Sequence, residues 1–198
     1  MLKFYTGQMA SGKSLRLLAT AYNFQEHNIP FILFKSEIDT RDGENVIHSR
    51  ALGDRPCVSL SKEDNIFQKV KDEIKNGNSL KYVLVDEAQF LTVKQVEELA
   101  AVSDILNIDV YCYGLKTDFK TNLFPASKRL LEISDEFEQI DSVCKCGRKT
   151  MFNARINKNK EIVTNGSQIE VGGDDRYVAV CRKCYFEATG NKMYLKED

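Results

Sequence analysis

Short apolar runs alternate with longer segments of helical spacing over the first two thirds of the chain. The apolar runs predict buried strands, which are Leu2–Thr6, Pro30–Lys35, Tyr82–Val85 and Asp109–Tyr113. The segments of helical spacing are Leu15–Gln25, Lys62–Asn76 and Thr92–Leu106. Thr92 and Gln95 have the spacing of a capping box, and Gly77 fits the C-terminal end of the second helix. Strands that alternate with helices predict an α/β domain with a mainly parallel sheet and helices on both faces.

The character of the chain changes near Cys144. The segment beyond it is hydrophilic and contains four of the six cysteines. Asn165-Gly166 and Gly172-Gly173 are turn signals, and the alternation around Asn165-Gly166 predicts a hairpin. We therefore predict two domains, an α/β domain over residues 1–141 and a small cysteine-containing domain over residues 142–198.

The charge balance and the apolar content of the chain limit the kinds of partner that we expect. The chain has 198 residues with 28 basic and 29 acidic side chains, a formal net charge of −1. Proteins that grip a nucleic-acid backbone carry a basic excess, so we expect no nucleic-acid partner. The N-terminal MLKFYTG lacks the apolar region of a signal peptide, and no apolar run approaches the roughly 20 residues that span a bilayer. We expect a cytoplasmic protein with no membrane partner.

The residues after the first strand match the phosphate-binding loop pattern G-x-x-x-x-G-K-S. They are Gly7, Gln8, Met9, Ala10, Ser11, Gly12, Lys13 and Ser14. The glycines allow backbone N–H groups to face a phosphate, and the following helix adds its positive N-terminal end. Lys13 would contact the β- and γ-phosphates, and the Ser14 hydroxyl would hold Mg²⁺. A simple Gly/Ser-rich turn is the alternative, but a strand before it and a helix after it favour phosphate binding.

Two adjacent acids, Asp86 and Glu87, end the strand within VLVDEAQF. Adjacent side chains on a strand point to opposite faces, so the two carboxylates need different roles. Asp86 fits the second magnesium ligand of P-loop enzymes, with Ser14 as the first. The alternative for Asp86 is a cap on the next turn. With Asp86 assigned to the metal, Glu87 is the candidate base. It would deprotonate either water or a hydroxyl group.

Four cysteines form two close pairs, Cys144-x-Cys146 and Cys181-x₂-Cys184. Two such pairs suit a tetrahedral structural Zn²⁺, although the C-x-C pair is the less usual form. Zinc would close a loop in a segment too small to have its own core. Four unrelated thiols are the alternative. Cys112 fits a buried apolar position, and Cys57 has no assigned role.

The segment between the cysteine pairs is long, and long loops held in place are usually functional. Gly172 and Gly173 would allow the backbone to approach a ligand closely. Tyr177 fits either of two roles, packing on a flat ring of a ligand or packing against the hairpin. The sequence leaves these two alternatives open.

These motifs together resemble the type II thymidine kinases, the P-loop class with a zinc-held lasso loop. The matching stretches are GQMASGKS, EIDTR, VLVDEAQFL, CYGLKTDF, CxCGRK and VGGDDRYVAVCRKC, in the family's order over nearly the whole chain. The resemblance is greatest to the bacterial branch, where the first cysteine pair is also C-x-C. The last zinc ligand can be His in that branch, and here it is Cys184.

The resemblance implies a RecA-like P-loop domain with a small zinc-binding lasso domain, and a homotetramer. It implies transfer of the ATP γ-phosphate to the 5′-hydroxyl of thymidine, with Mg²⁺, to give dTMP, and dTTP as a feedback inhibitor. Glu87 matches the general base, and Asp86 and Gln89 join the P-loop residues on the ATP side. The zinc ligands would be Cys144, Cys146, Cys181 and Cys184.

The resemblance also assigns a nucleoside pocket. Its residues would be Met9, Asp39, Arg41, Phe90, Leu115, Phe119, Phe124, Gln168, Ile169, Glu170, Val171, Gly172 and Tyr177. Without the resemblance, an ordinary core would be the assignment for the large apolar residues Phe90, Leu115, Phe119 and Phe124. Asn153 departs from relatives that have Thr or an apolar residue against the base. That departure leaves selectivity among pyrimidines open.

A P-loop ATPase module, such as a helicase-like motor or a zinc-containing nucleic-acid-binding switch, is the competing hypothesis. DEAQ resembles the DExx box of such motors, in which the Glu activates water. The chain has room for one RecA-like lobe, whereas these motors generally pair two, and it has no basic excess. ATP turnover with and without thymidine distinguishes the two hypotheses.

Overall fold

A computed structural model describes residues 1–39, 43, 45–49, 52–166 and 176–190. Every structural statement below concerns these residues. Arg41 and Gln168, Ile169, Glu170, Val171 and Gly172, which the resemblance assigns to the nucleoside pocket, lie outside them.

A six-stranded sheet forms the centre of the larger unit. Its strands are β1 (Leu2–Thr6), β2 (Phe31–Ser36), β5 (Val58–Leu60), β6 (Tyr82–Asp86), β7 (Asp109–Gly114) and β8 (Glu136–Gln139). Their order is β5-β2-β6-β7-β1-β8, and every neighbouring pair is parallel. A separate antiparallel pair consists of β3 (Val46–Ser49) and β4 (Gly53–Pro56). The predicted α/β fold with a mainly parallel sheet is confirmed.

Helices cover both faces of this sheet, as predicted. The helices on this sheet are α1 (Lys13–Glu26), α2 (Ile66–Lys75), α3 (Val93–Leu106) and α4 (Pro125–Ile133), and α5 (Arg182–Thr189) lies in the smaller unit. Leu17, Leu18 and Phe24 of α1 pack on the face that carries Tyr5 and Tyr113. The opposite core combines residues of α2, α3 and α4 with side chains of the strands, including Phe4, Val83 and Val110. None of the helices in the described part of the chain is both long enough and apolar enough to cross a membrane.

Element ends follow local capping chemistry. Thr92 and Gln95 form the predicted capping box at the start of α3. The second helix begins at Ile66 rather than Lys62, because the Asn65 side chain accepts a hydrogen bond from the Gln68 N–H and caps the helix there. Gly77 has a positive φ of 90°, which fits its predicted position at the end of α2. The strands β3, β4, β5 and β8 and the helix α4 were not predicted.

A smaller unit contains a three-stranded antiparallel sheet and α5. Its strands are β9 (Phe152–Ile156), β10 (Ile162–Val163) and β11 (Tyr177–Val180), in the order β10-β9-β11. The hairpin of β9 and β10 turns at residues 157–160, where the Asn157 side chain accepts hydrogen bonds from the N–H groups of Asn159 and Glu161. This turn differs from the one predicted at Asn165-Gly166. Residues 167–175, including Gly172-Gly173, lie outside the described residues.

Direct contacts join the two units. The Gln8 side chain donates to the Met151 carbonyl at 2.9 Å, and the Met9 N–H donates to Asn153 Oδ1 at 2.7 Å. The Tyr185 hydroxyl donates to the Phe119 carbonyl at 2.8 Å. The large sheet ends at Gln139 and the small sheet begins at Phe152, so the domain boundary at 141/142 stays a prediction between them.

Candidate functional site

The predicted phosphate loop has the backbone shape needed to surround an anion. Ala10 and Gly12 have positive φ values of 58° and 88°, so the chain curls between β1 and α1. Gly12 caps α1 without a side-chain hydrogen bond, which leaves the positive helix end facing the loop. The Lys13 ammonium group folds back and donates to the Gln8 carbonyl at 2.8 Å. Ser11 Oγ is buried with no hydrogen-bond partner within the described residues, as expected for a group awaiting a phosphate oxygen.

Close packing explains the first glycine of the loop. A Cβ at Gly7 would lie 2.4 Å from Ser11 Oγ and 3.0 Å from the Ile140 carbonyl oxygen. Any side chain at this position would therefore push the Ser11 hydroxyl aside and crowd the Ile140 carbonyl.

Ser14 and Asp86 lie side by side at the ends of neighbouring elements. Ser14 Oγ donates to Asp86 Oδ2 at 2.9 Å. Burial, followed by the nearby Glu87 carboxylate, raises the pKa of Asp86 to about 7, while the Ser14 hydroxyl, the Glu87 N–H and Lys13 act in the opposite direction. A divalent cation would favour the ionised carboxylate here. A hydroxyl and a carboxylate at this spacing are oxygen donors that fit Mg²⁺.

Glu87 turns away from Asp86 because its backbone leaves the strand. It has left-handed dihedral angles, φ 51° and ψ 39°, and its N–H donates to Asp86 Oδ1 at 3.0 Å. The Glu87 carboxylate accepts a hydrogen bond from Gln89 Nε2, and Gln89 Oε1 accepts one from the Leu115 N–H at 2.9 Å. The two adjacent acids therefore have different neighbours, Ser14 for Asp86 and Gln89 for Glu87.

Aromatic residues assigned to the nucleoside pocket come together near the end of β7. The rings of Phe90 and Phe124 meet edge to face with centroids 6.1 Å apart. Phe119 is 2% exposed, and the Arg155 guanidinium lies over its ring at 3.8 Å from the centroid. This burial also fits ordinary core packing, so the pocket role of these residues stays a prediction.

Arg155 links Phe119 to Tyr177. Its Nε and Nη2 donate to the Tyr177 hydroxyl at 3.1 and 2.9 Å. The two residues are register partners on β9 and β11. Gly166 approaches the same group, because a Cβ there would lie 2.9 Å from Arg155 Nη1.

Asp39 lies at the carboxyl side of β2 and is buried with Lys35. Their charged atoms are 3.4 Å apart, and Lys35 Nζ also donates to the Val46 carbonyl at 3.0 Å. Lys35 is the register partner of Asp86 on β6. Asp39 is therefore paired with a residue of β2 that lies directly beside Asp86 of β6.

The four paired cysteines form one cluster. The Sγ atoms of Cys144, Cys146, Cys181 and Cys184 all lie within 4.8 Å of one another. Sulfurs on a tetrahedral zinc would be about 3.8 Å apart, from a Zn–S bond of about 2.3 Å. Burial acts to raise the pKa of Cys144, but the backbone N–H groups of Cys146 and Cys181 lower it to about 6. The donor set and spacing could hold a metal ion and are consistent with zinc.

The other two cysteines stand apart from this cluster. Cys112 is fully buried, as predicted, and burial raises the pKa of its thiol. Cys57 is half-buried, and burial raises the pKa of its thiol to about 11.

Sequence reasoning missed three side chains of the site. Arg155 and Lys35 are charged residues on buried strands, and a charge in an otherwise apolar strand was the signal available for each. Gln8 was assigned to the phosphate loop, yet its side chain contacts the smaller unit. Its Oε1 accepts a hydrogen bond from Thr150 Oγ1 at 3.2 Å, which no local pattern indicates.

The fold and site define a P-loop nucleotide-binding protein with a cysteine cluster suited to a metal ion. A family model described as thymidine kinase matches residues 1–185. A thymidine kinase of Zymomonas mobilis subsp. mobilis is 43% identical over 187 residues, which cover 94% of this chain and 96% of the relative. A thymidine kinase of Mannheimia succiniciproducens is 41% identical over 189 residues, 96% of each chain. The chain belongs to the thymidine kinase family.

Solved structures give a much weaker similarity. The Pif1 helicase from Candida albicans matches with a TM-score of 0.43 and 14% sequence identity, over 71% of this chain and 36% of that chain. This similarity is too low to distinguish one function from another.

Proposed function

We propose that this protein transfers the γ-phosphate of ATP to the 5′-hydroxyl of thymidine and releases dTMP and ADP. Membership of the thymidine kinase family supports the reaction class and both substrates. The observation that carries the mechanism is the divergence of two adjacent acids. Asp86 accepts a hydrogen bond from Ser14, and Glu87 accepts one from Gln89, whose amide oxygen in turn accepts from the Leu115 N–H just after β7. Asp86 can therefore bind the metal ion while Glu87 accepts the proton of the acceptor hydroxyl.

The ATP phosphates bind in the loop Gly7–Ser14 in this proposal. Backbone N–H groups at the start of α1 and the Lys13 ammonium group hold the β- and γ-phosphate oxygens. Ser14 and Asp86 hold Mg²⁺, which, when bound, neutralises charge that develops on the phosphoryl group. Asp86 must be ionised for this role, although burial raises its pKa in the metal-free protein.

Glu87 acts as the general base. Its carboxylate accepts the proton of the thymidine 5′-hydroxyl as that oxygen attacks the γ-phosphorus. Phosphoryl transfer depends more on positioning and charge neutralisation than on covalent chemistry, so the orientation of this carboxylate matters. Asp39 and Arg41 act near the reacting end by resemblance to the family.

Thymidine binds between the end of β7 and the smaller unit. Phe90, Leu115, Phe119 and Phe124 form the wall, and Tyr177 lies on the side of the smaller unit. Gln168–Gly172 would hold the base by backbone groups, by resemblance to the family. Two contacts across the units support this location, Arg155 on Phe119 and the Tyr185 hydroxyl on the Phe119 carbonyl.

The cysteine cluster holds a structural Zn²⁺ in this proposal. All four ligands come from the protein, so the metal has no open coordination position for catalysis. It fixes α5 to the turn at Cys144–Gly147, because Cys181 caps α5 and also belongs to the cluster. Further parts of the proposal rest on the family resemblance alone: a homotetramer, feedback inhibition by dTTP and a cytoplasmic location.

ADP release tests the proposed reaction directly. The protein is assayed with ATP and Mg²⁺ alone, with thymidine, with other nucleosides, and with DNA or RNA. We expect ADP release to depend on thymidine. ATP turnover that is stimulated by nucleic acid and indifferent to thymidine would instead support the motor hypothesis.

A further inference from the structure

Gln89 is almost fully buried, and both ends of its side-chain amide are engaged. It is 2% exposed. Its Nε2 donates to Glu87 Oε2, and its Oε1 accepts from the Leu115 N–H at 2.9 Å. The side chain therefore spans from the proposed base to the backbone of a residue assigned to the nucleoside pocket.

The orientation of this amide follows from its neighbours. A backbone N–H can only donate, so the oxygen of the Gln89 amide must face Leu115. The amide nitrogen then faces Glu87, where it can only donate. A donor in this position fixes the plane of the carboxylate oxygens.

The backbone around Gln89 is shaped to fit it. A Cβ at Gly114 would lie 2.7 Å from Gln89 Oε1 and 3.1 Å from the Gln89 nitrogen. The φ of Gly114 is not in the left-handed region, so glycine is needed here for space and not for backbone conformation. The Thr6 hydroxyl donates to the Gly114 carbonyl at 3.0 Å, and the Ser127 hydroxyl donates to the Leu115 carbonyl at 2.6 Å. The Leu115 N–H therefore belongs to a segment that is held from two sides.

We propose that Gln89 is a positioning residue that orients the Glu87 carboxylate and ties it to the pocket backbone at Leu115. This inference rests on the proposed function, and it replaces the assignment of Gln89 to the ATP side with a role at the acceptor side. The end of β7 then sets the geometry of the base. If Leu115 moved when a nucleoside binds, the Gln89 side chain would transmit that movement to Glu87.

The consequences for kinetics are specific. Removing the amide leaves Glu87 in place but without its orienting donor. A misplacement of this kind costs about 10–100-fold in kcat, since errors near 1 Å can cost about 10²-fold. The KM for ATP should stay within about threefold, since Gln89 contacts no phosphate-loop residue within the described chain.

Gln89→Met and Gln95→Met make a matched pair for the test. Methionine keeps the length of glutamine and removes both hydrogen bonds. Gln95 is also 2% exposed, and its amide serves the cap of α3 and the carbonyls of Ser61 and Asp64. It therefore controls for the general cost of losing a buried glutamine. The kcat, both KM values and the unfolding midpoint are measured for each variant.

The expected result is a low kcat for Gln89→Met only, with similar loss of stability in both variants. The double variant Glu87→Gln/Gln89→Met should be no slower than Glu87→Gln alone, because Gln89 acts through Glu87. Equal kcat values for Gln89→Met and Gln95→Met would overturn the inference. A loss confined to the KM for ATP would also overturn it and restore the ATP-side role.

Failure of the proposed function gives a different result. If the wild-type protein hydrolysed ATP without thymidine, the proposed reaction would be wrong. The same variants would then be compared by ATP hydrolysis. Gln89→Met would still have to lower that rate through Glu87, and an unchanged rate would overturn the inference.

Discussion

The guanidinium carbon of Arg155 lies 3.8 Å from the centroid of the Phe119 ring, and the same side chain donates twice to the Tyr177 hydroxyl. One buried cation thus connects a residue that follows β7 to two strands of the smaller unit. Phe119 and Tyr177 are both assigned to the nucleoside pocket. Arg155 is therefore placed to fix their relative positions.

Arg155→Lys should weaken thymidine binding more than ATP binding. Lysine keeps the charge but cannot stack its head group flat on Phe119 or donate in the same fork to Tyr177. A stacked cation is worth about 0.5–2 kcal/mol, so the KM for thymidine should rise roughly 3–30-fold. Steady-state kinetics with each substrate varied measures this effect.

The matched control is Arg129→Lys, since Arg129 makes ion pairs with Glu97 and Glu132 on the protein surface. It should leave both KM values unchanged. A rise in the KM for ATP alone in Arg155→Lys would contradict the role given to Arg155.

The raised pKa of Asp86 predicts that the free energy of unfolding of the metal-free protein depends on pH. The unfolded carboxyl titrates near pH 4 and the folded one near pH 7, so between these values the folded protein binds more protons. The free energy of unfolding should therefore fall as pH rises through this window and level off above it. Asp86→Asn removes this contribution.

Denaturant unfolding of both proteins at pH 5.5 and pH 8, without nucleotide or metal, measures the effect. The stability of Asp86→Asn relative to wild type should increase by about 1–2 kcal/mol at the higher pH, since 1 pKa unit is about 1.4 kcal/mol. The variant should also lose the stabilisation that Mg²⁺ with ATP gives the wild type. A relative stability that does not change with pH would show that Asp86 is already ionised in the fold at pH 5.5.

Local motifs allowed much of the site to be predicted from the sequence. The phosphate loop lies within eight consecutive residues, and each cysteine pair is separated by one or two residues. The spacing of these residues is therefore enough to predict a phosphate site and a metal site. The four predicted strands and three predicted helices were also found, because their apolar runs are long or their caps are explicit.

The unpredicted elements have weak local signals. The strands β4 (GDRP) and β8 (EFEQ) are short and polar, and β4 is largely exposed. They form because a neighbouring strand supplies hydrogen bonds, not because of their own apolar pattern. Pro125 at the start of α4 was an available signal, since proline favours the first turn of a helix.

Side-chain links across the fold could not be predicted from spacing. Gln89 meets Leu115 across 26 positions of sequence, and Met9 meets Asn153 across 144. Asn153 stands where some relatives have Thr or an apolar residue against the base, and its Oδ1 accepts a hydrogen bond from the phosphate loop. Such pairs depend on how the strand ends and the two units come together. The apolar periodicity of the sequence contains no information about that arrangement.

Loss of one cysteine of the cluster should release the metal. Cys184→Ser removes a thiolate from a set whose sulfurs lie within 4.8 Å of one another. We expect about one zinc per chain in the wild type by elemental analysis and much less in the variant. Unfolding should occur at lower temperature in the variant because metal binding contributes folding free energy.

Cys57→Ser is the control, because Cys57 lies outside the cluster. This variant should keep the metal. A wild-type preparation that is metal-free, folded and fully active would refute the structural role of zinc.

The most direct test of the account follows the terminal phosphate of γ-labelled ATP in the wild type, in Glu87→Gln and in the control Glu63→Gln at an exposed position. The account predicts label on the 5′-oxygen of thymidine for the wild type and the control. For Glu87→Gln it predicts a rate about 10²–10⁴-fold lower, with ATP and thymidine still bound, as expected for loss of a general base. Label released as inorganic phosphate at a rate independent of thymidine, or near-normal transfer by Glu87→Gln, would contradict it.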